Sequence, residues 1–119
     1  MKKNCRIRKR REFVNVAESG FYFRTNSLVI QCKPNKSNEI RTGFTASKKV
    51  GNAVCRNRCK RRMRALSNIV LSYVGQSGID YVFIARRNMA AADWSELVED
   101  ATRAVSFLNK KALSVCGQS

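Results

Sequence analysis

The residues of this chain best able to do chemistry are cations. Residues 48–64 read KKVGNAVCRNRCKRRMR, seventeen positions with eight Lys or Arg, no acid, a Gly-Asn pair at a helix start and a compact Arg-Asn-Arg inside. With Asn52 as N-cap, a step of ~100° per residue puts Arg56, Asn57, Lys60, Arg61 and Arg64 on one arc. Cys55, Cys59, Met63, Leu66, Val70 and Tyr73 fall on another. One side of the helix is thus anchored while the other presents positive charge, and the chemistry this suits is phosphate binding. Lys48 and Lys49 precede the helix, and Arg56 and Arg58 sit in its first turns, where the macrodipole is already positive and stability alone favours Asp or Glu. A bound anion resolves that conflict, because helix N-terminal N–H groups with Lys and Arg make a phosphate site. A merely solvated face mixes signs, yet no Asp or Glu occurs from Ile40 to Ile79.

Other chemistries find little support. The chain has no histidine and eight acids, four of them in residues 93–100. There Asp93 and Glu96 read as a capping box, and the carboxylates suit a helix N-terminus. An autonomous nuclease would need a general base or metal ligands that this set does not offer, so no catalytic or metal-binding residue is predicted. Cysteines at 5, 32, 55, 59 and 116 are odd in number and include no C-x-x-C, which argues against a disulfide framework or zinc site. Cys55 and Cys59 read as small core residues.

At 119 residues, 44% of them hydrophobic, the chain is expected to be one domain with a modest core. Twenty-four Lys and Arg against eight acids give +16, and fifteen of those cations lie in residues 1–11 and 48–64. Such clustering points to nucleic acid. The start, MKKNCRIRKRR, has the charge of a signal peptide without the apolar run that must follow, and the longest strongly apolar run, Tyr81 to Ala85, is too short to span a bilayer. A cytoplasmic protein with no membrane partner is expected.

The elements that must position these residues follow from periodicity. Residues 8–18 predict a short helix with Phe13, Val16 and Ala17 on one side, ended by Gly20. Phe21–Arg24 reads as a short edge strand. Ser27–Lys33 and Glu39–Ser47 read as strands joined by Pro34 and NKSN, together a hairpin, with Gly43 marking a bulge or a close approach by another backbone. A long helix over 53–74 follows, then the loop GQSG and Ile79–Ala85, whose nearly continuous apolar run is that of a central strand covered on both faces. Trp94, Leu97, Val98, Ala101, Val105 and Leu108 recur at helical spacing to about Leu113. The fold class is α+β, a single-domain sandwich of order α-β-β-β-α-β-α over residues 1–119, with 1–7 and 114–119 expected to be flexible. Strands flanking the basic helix argue against a helix-turn-helix and a DNA partner.

That order, with the string from Lys49 to Arg64, Arg8 to Phe13, Gly43 through Lys49 and Ile84-Ala85-Arg86, resembles the bacterial ribonuclease P protein component along essentially the whole chain. The resemblance implies a left-handed βαβ crossover, of the kind in the second domain of a small-subunit ribosomal protein, against the usual right-handed preference. It implies a subunit of the ribonuclease P endoribonuclease, partnered by the catalytic RNA and by precursor tRNA, which assists removal of the 5′ leader. Catalytic groups are then expected on the RNA and not on this chain, and the Mg²⁺ requirement belongs to the RNA–protein holoenzyme, with no cofactor held by protein side chains alone. Carried over by position, Lys48, Lys49, Asn52, Arg56, Asn57, Arg58, Lys60, Arg61 and Arg64 are RNA-binding, and Phe13, Ala17, Val29, Gln31 and Arg86 line a cleft for the leader. Ala17 and Gln31 stand where many relatives have aromatics, so less stacking is expected; Cys59 and Ala65 also depart from the pattern. The alternative is a small ribosomal or structural RNA-binding protein without a role in cleavage.

Overall fold

The computed structural model describes residues 4–7 and 9–116. Eight regular elements follow in order: β1 (Asn4–Arg6), α1 (Arg10–Ser19), β2 (Phe21–Arg24), β3 (Leu28–Pro34), β4 (Ile40–Thr45), α2 (Ala53–Val74), β5 (Ile79–Ala85) and α3 (Trp94–Cys116). Strand β1 is an addition to the expected order. Of the ends expected to be flexible, residues 4–6 pair in the sheet and 114–116 complete the last helix; 1–3 and 117–119 lie outside the described residues.

One mixed sheet in the order β1-β4-β5-β3-β2 divides the molecule into layers. Strands β4 and β5 are parallel, so α2 is the crossover between neighbours. The predicted pairing of Ser27–Lys33 with Glu39–Ser47 does not form. β5 lies between them, antiparallel to β3 from Leu28↔Ala85 to Pro34↔Ile79, and the hairpin is instead β2–β3. The physical reason is burial: β5 is the strand whose residues are apolar on both faces, and the central position covers both. No helix among the described residues is long and apolar enough to cross a membrane.

Strand alternation sorts the core. Leu28, Ile30, Cys32, Tyr81 and Phe83 face α2 and α3 and pack with Cys59, Met63, Leu66, Val70, Leu97, Ala101, Val105 and Leu108. On the other face Val82 and Ile84 meet Ile7, Phe13 and Val16, so α1 covers that side. Gly43 admits α1: a Cβ there would lie 2.6 Å from the Phe13 ring. The close approach expected at this glycine is made by a side chain rather than by backbone. Buried Tyr81 fastens the opposite layer, its hydroxyl donating to Asn109 Oδ1 at 2.5 Å and accepting from the Gln76 N–H at 3.0 Å. Asn109 in turn donates to the Val74 carbonyl, tying α3 to the end of α2.

Candidate nucleic-acid interface

The start of α2 is set by three residues with different tasks. Val50 is buried and plugs a 3₁₀ turn, Lys48–Val50, that leaves both lysines exposed. Gly51 follows with φ +148, a conformation that favours glycine, and a Cβ there would press on Cys55 at 3.0 Å. Asn52 then caps the helix, its Oδ1 accepting from the Cys55 N–H at 2.9 Å. Asn52, carried over as RNA-binding, therefore has a structural task at this oxygen.

Beyond the cap the helix divides as its sequence demands. Cys59, Met63, Leu66, Ser67, Val70 and Leu71 are buried. Asn57, Lys60, Arg61 and Arg64, with Val54, line a groove of about 430 Å³ on the other side. Arg58 is exposed but is not among the residues lining it. Arg56 is half-buried rather than on the open arc, with its Nε buried and without a hydrogen-bond partner. Tyr73, expected in the apolar stripe, is 81% exposed, because the buried stripe turns toward Ser67, Leu71 and Val74 in the second half of α2.

One cation of the basic run does something else. Arg62 donates from Nη1 to the carbonyls of Met89 and Ala90 at 2.6 and 2.9 Å and from Nη2 to that of Ala92 at 2.7 Å. Its guanidinium also stands 5.6 Å from the Trp94 ring centroid. This residue clamps the turn before α3 to α2, so the run holds a fastening arginine beside the open ones. Its place between core residues Cys59 and Leu66, at i+3 and i−4, is the signal in the sequence.

Lys49 meets different company. With Asn26, Ser47, Val50, Ala85, Arg86, Arg87 and Asn88 it lines a cavity of about 410 Å³ where β4 and β5 end. Arg86, expected in the leader cleft, lies here, its Nη1 donating to the Thr25 carbonyl at 2.7 Å. Arg87 was not singled out by the sequence and joins the same cavity.

The α1 face has a locked side and an open side. On the locked side Arg41 pairs with Glu12 and, at 3.6 Å, with Asp80. Asp80 also accepts from Asn35 at 2.8 Å. The Arg41 hydrogen bond holds the Glu12 carboxyl below the usual range, whereas burial outweighs Asn35 and Arg41 and raises that of Asp80. On the open side Arg10, Phe13, Val14, Phe44 and Thr45 line a cavity of about 430 Å³. Val29 and Gln31 are half-buried on β3, at positions that alternate with its core residues, while Ala17 is exposed on α1. Tyr22, which the sequence reading passed over, pairs with Gln31 from the edge strand and is 64% exposed.

A family model described as Ribonuclease P matches residues 1–109. A ribonuclease P protein component of Ruegeria pomeroyi is 40% identical over 107 residues, covering 87% of this chain and 85% of the relative. That of Caulobacter vibrioides is 38% identical over 105 residues, covering 87% and 70%. Among solved structures, the RNase P protein of Staphylococcus aureus superposes with TM-score 0.73 at 26% identity, covering 86% of this chain and 93% of that one. The RNase P protein from Thermotoga maritima superposes with TM-score 0.75 at 24% identity over 86% and 96%, a likeness of fold.

Proposed function

Since the chain belongs to the ribonuclease P protein family and is a subunit of that tRNA-processing endoribonuclease, partnered by the ribonuclease P RNA, we propose which surfaces serve the particle. The open flank of α2 holds the RNA through Asn57, Lys60, Arg61 and Arg64, with Arg56, Arg58, Lys48 and Lys49 adding charge near the helix start. The observation that carries this reading is the groove itself: three cations and an amide converge opposite a buried stripe, in a stretch with no acid from residue 40 to 79. Guanidinium forks suit phosphate oxygens, and the helix N-terminus favours the same charge.

The second surface is the open side of the α1 face, which receives the unpaired 5′ leader of precursor tRNA. Phe13 offers a ring to bases there, and such stacking tolerates any sequence. Binding of both partners brings two polyanions together, and the protein's positive charge screens their repulsion. Five of the eight carboxylates are otherwise engaged: Glu12 and Asp80 with Arg41, Asp93 at the Glu96 N–H, and Glu99 and Asp100 near Arg103. In this reading the Mg²⁺ requirement belongs to the RNA-containing particle.

The test is assembly of the protein with its catalytic RNA across a salt series. Alanine at Lys60, Arg61 or Arg64 should weaken assembly and flatten the slope of log affinity against log salt by about 0.7–0.9 per lost phosphate contact. Slopes equal to that of the parent protein would refute the assignment of this flank.

A further inference from the structure

We propose that Tyr22 is a stacking platform for an unpaired RNA base, a role that rests on the leader reading above and extends it to the edge strand. Alternation places the ring. Leu28, Ile30 and Cys32 point into the core, so Val29 and Gln31 face the α1 side, and the register Tyr22↔Gln31, Arg24↔Val29 puts Tyr22 and Arg24 on that side too. Phe21 and Phe23 turn the opposite way, where Phe23 meets Phe107 of α3 with ring centroids 5.2 Å apart.

The strand thus carries three aromatics in a row and spends only two of them on the core. Tyr22 remains 64% exposed, too open to contribute much burial energy, and directly opposed positions lie ~4.5–5.5 Å apart, so its ring adjoins half-buried Gln31. Exposed aromatics on a sheet beside cations are the means by which single-stranded RNA is held, with bases stacked and phosphates near Arg or Lys. The charge here suits that occupant. Arg24 is exposed on the same strand and, by alternation, on the same face as Tyr22, whereas Glu12 and Asp80, the acids of the locked side, are both paired with Arg41.

The experiment uses the particle reconstituted from this protein and its catalytic RNA, with precursor tRNAs carrying a one-nucleotide leader or a longer one. Tyr22→Ala should weaken binding of the long-leader substrate about tenfold. Tyr22→Phe should restore it, and the short-leader substrate and the salt slope should be unchanged. Thermal midpoints of both variants, matched to the parent, confirm that the fold is intact. If the parent particle prefers the longer leader and Tyr22→Ala keeps that preference in full, the Tyr22 role is wrong while the leader reading stands. A loss shared equally by both substrates would also overturn it. If the parent binds both substrates equally, the leader reading fails and takes the Tyr22 role with it.

Discussion

Arg61 and Arg62 are neighbours whose side chains leave α2 in different directions, one into the open groove and the other onto three carbonyls before α3. Removing Arg62 takes this donor from the Ala90 and Ala92 carbonyls, leaves that of Met89 with only the Ala92 N–H at 3.3 Å, and removes the contact with Trp94. Arg62→Ala should therefore cost about 3 kcal/mol of folding stability and leave the salt slope of RNA assembly near that of the parent. Arg61→Ala should do the reverse. Denaturant melts beside a salt titration check both, and a flattened slope for Arg62→Ala in a fully stable protein would contradict the clamp. A second residue effect concerns protons. Burial pushes the Cys32 thiol up from 9.0 to about 12, and burial raises the Tyr81 hydroxyl as well. A group whose folded pKa is raised stabilises the protein fully below its unfolded pKa and loses that contribution as pH rises through the folded value. Stability should thus fall by about 1.4 kcal/mol per pH unit from pH 9 toward 12 on account of Cys32, with Tyr81 adding to the slope only above pH 10. In Cys32→Val the fall should be shallower, and an unchanged slope would show that the thiol does not titrate in this window.

The bounds of helix α2 were readable because cap and terminator agree, Asn52 at one end and Gly75 after Val74 at the other, whereas the turn of the buried stripe away from Tyr73 was not. The strand Ile79–Ala85 was legible for a similar reason, since a continuous apolar run has one stable place, the middle of the sheet. Pairing was harder to read. Ser27–Lys33 and Glu39–Ser47 have the pattern and spacing of a hairpin, but which strand lies beside which depends on a β5 that comes forty residues later. Strand β1 left no signal because Asn4–Arg6 is short and pairs in parallel with Ile40–Thr42 by backbone. Tyr22 was missed because its neighbours Phe21 and Phe23 make the strand look uniformly apolar, and only the register separates them. At the head of α2, one capping bond carries a clear prediction. Asn52→Ala should lower stability by about 1 kcal/mol, with Asn52→Asp or Asn52→Ser recovering most of it. A melt checks this, and an alanine variant as stable as the parent would leave the cap without energetic weight.

A net charge of +16 on 119 residues repels itself in the compact state, and anions bound only by the folded chain stabilise it by mass action. The isolated protein should therefore melt at higher denaturant in sulfate than in chloride at matched ionic strength, and equal midpoints would argue against specific anion sites. The same imbalance bears on who performs the cleavage. Hydrolysis of a phosphodiester requires an activated water and stabilisation of charge on the leaving oxygen, commonly through divalent metals held by carboxylates or phosphates. This chain has no histidine and eight acids. Asp80 is held by Asn35 and Arg41, Asp93 accepts from the Glu96 N–H, and Glu99 and Asp100 stand on α3 beside Arg103. A partner RNA, by contrast, is dense in phosphates that can hold metal. The protein then acts on binding, and its contribution should appear as tighter precursor tRNA association and a lower Mg²⁺ requirement. Changing each of Asp80, Asp93, Glu96, Glu99 and Asp100 to its amide should leave single-turnover cleavage, at saturating RNA and protein, within about tenfold of the parent, since a group missing only a supporting interaction costs about 1.4 kcal/mol or less. A thousandfold loss at any one of them, with fold and assembly intact, would move a catalytic group from the RNA to this chain.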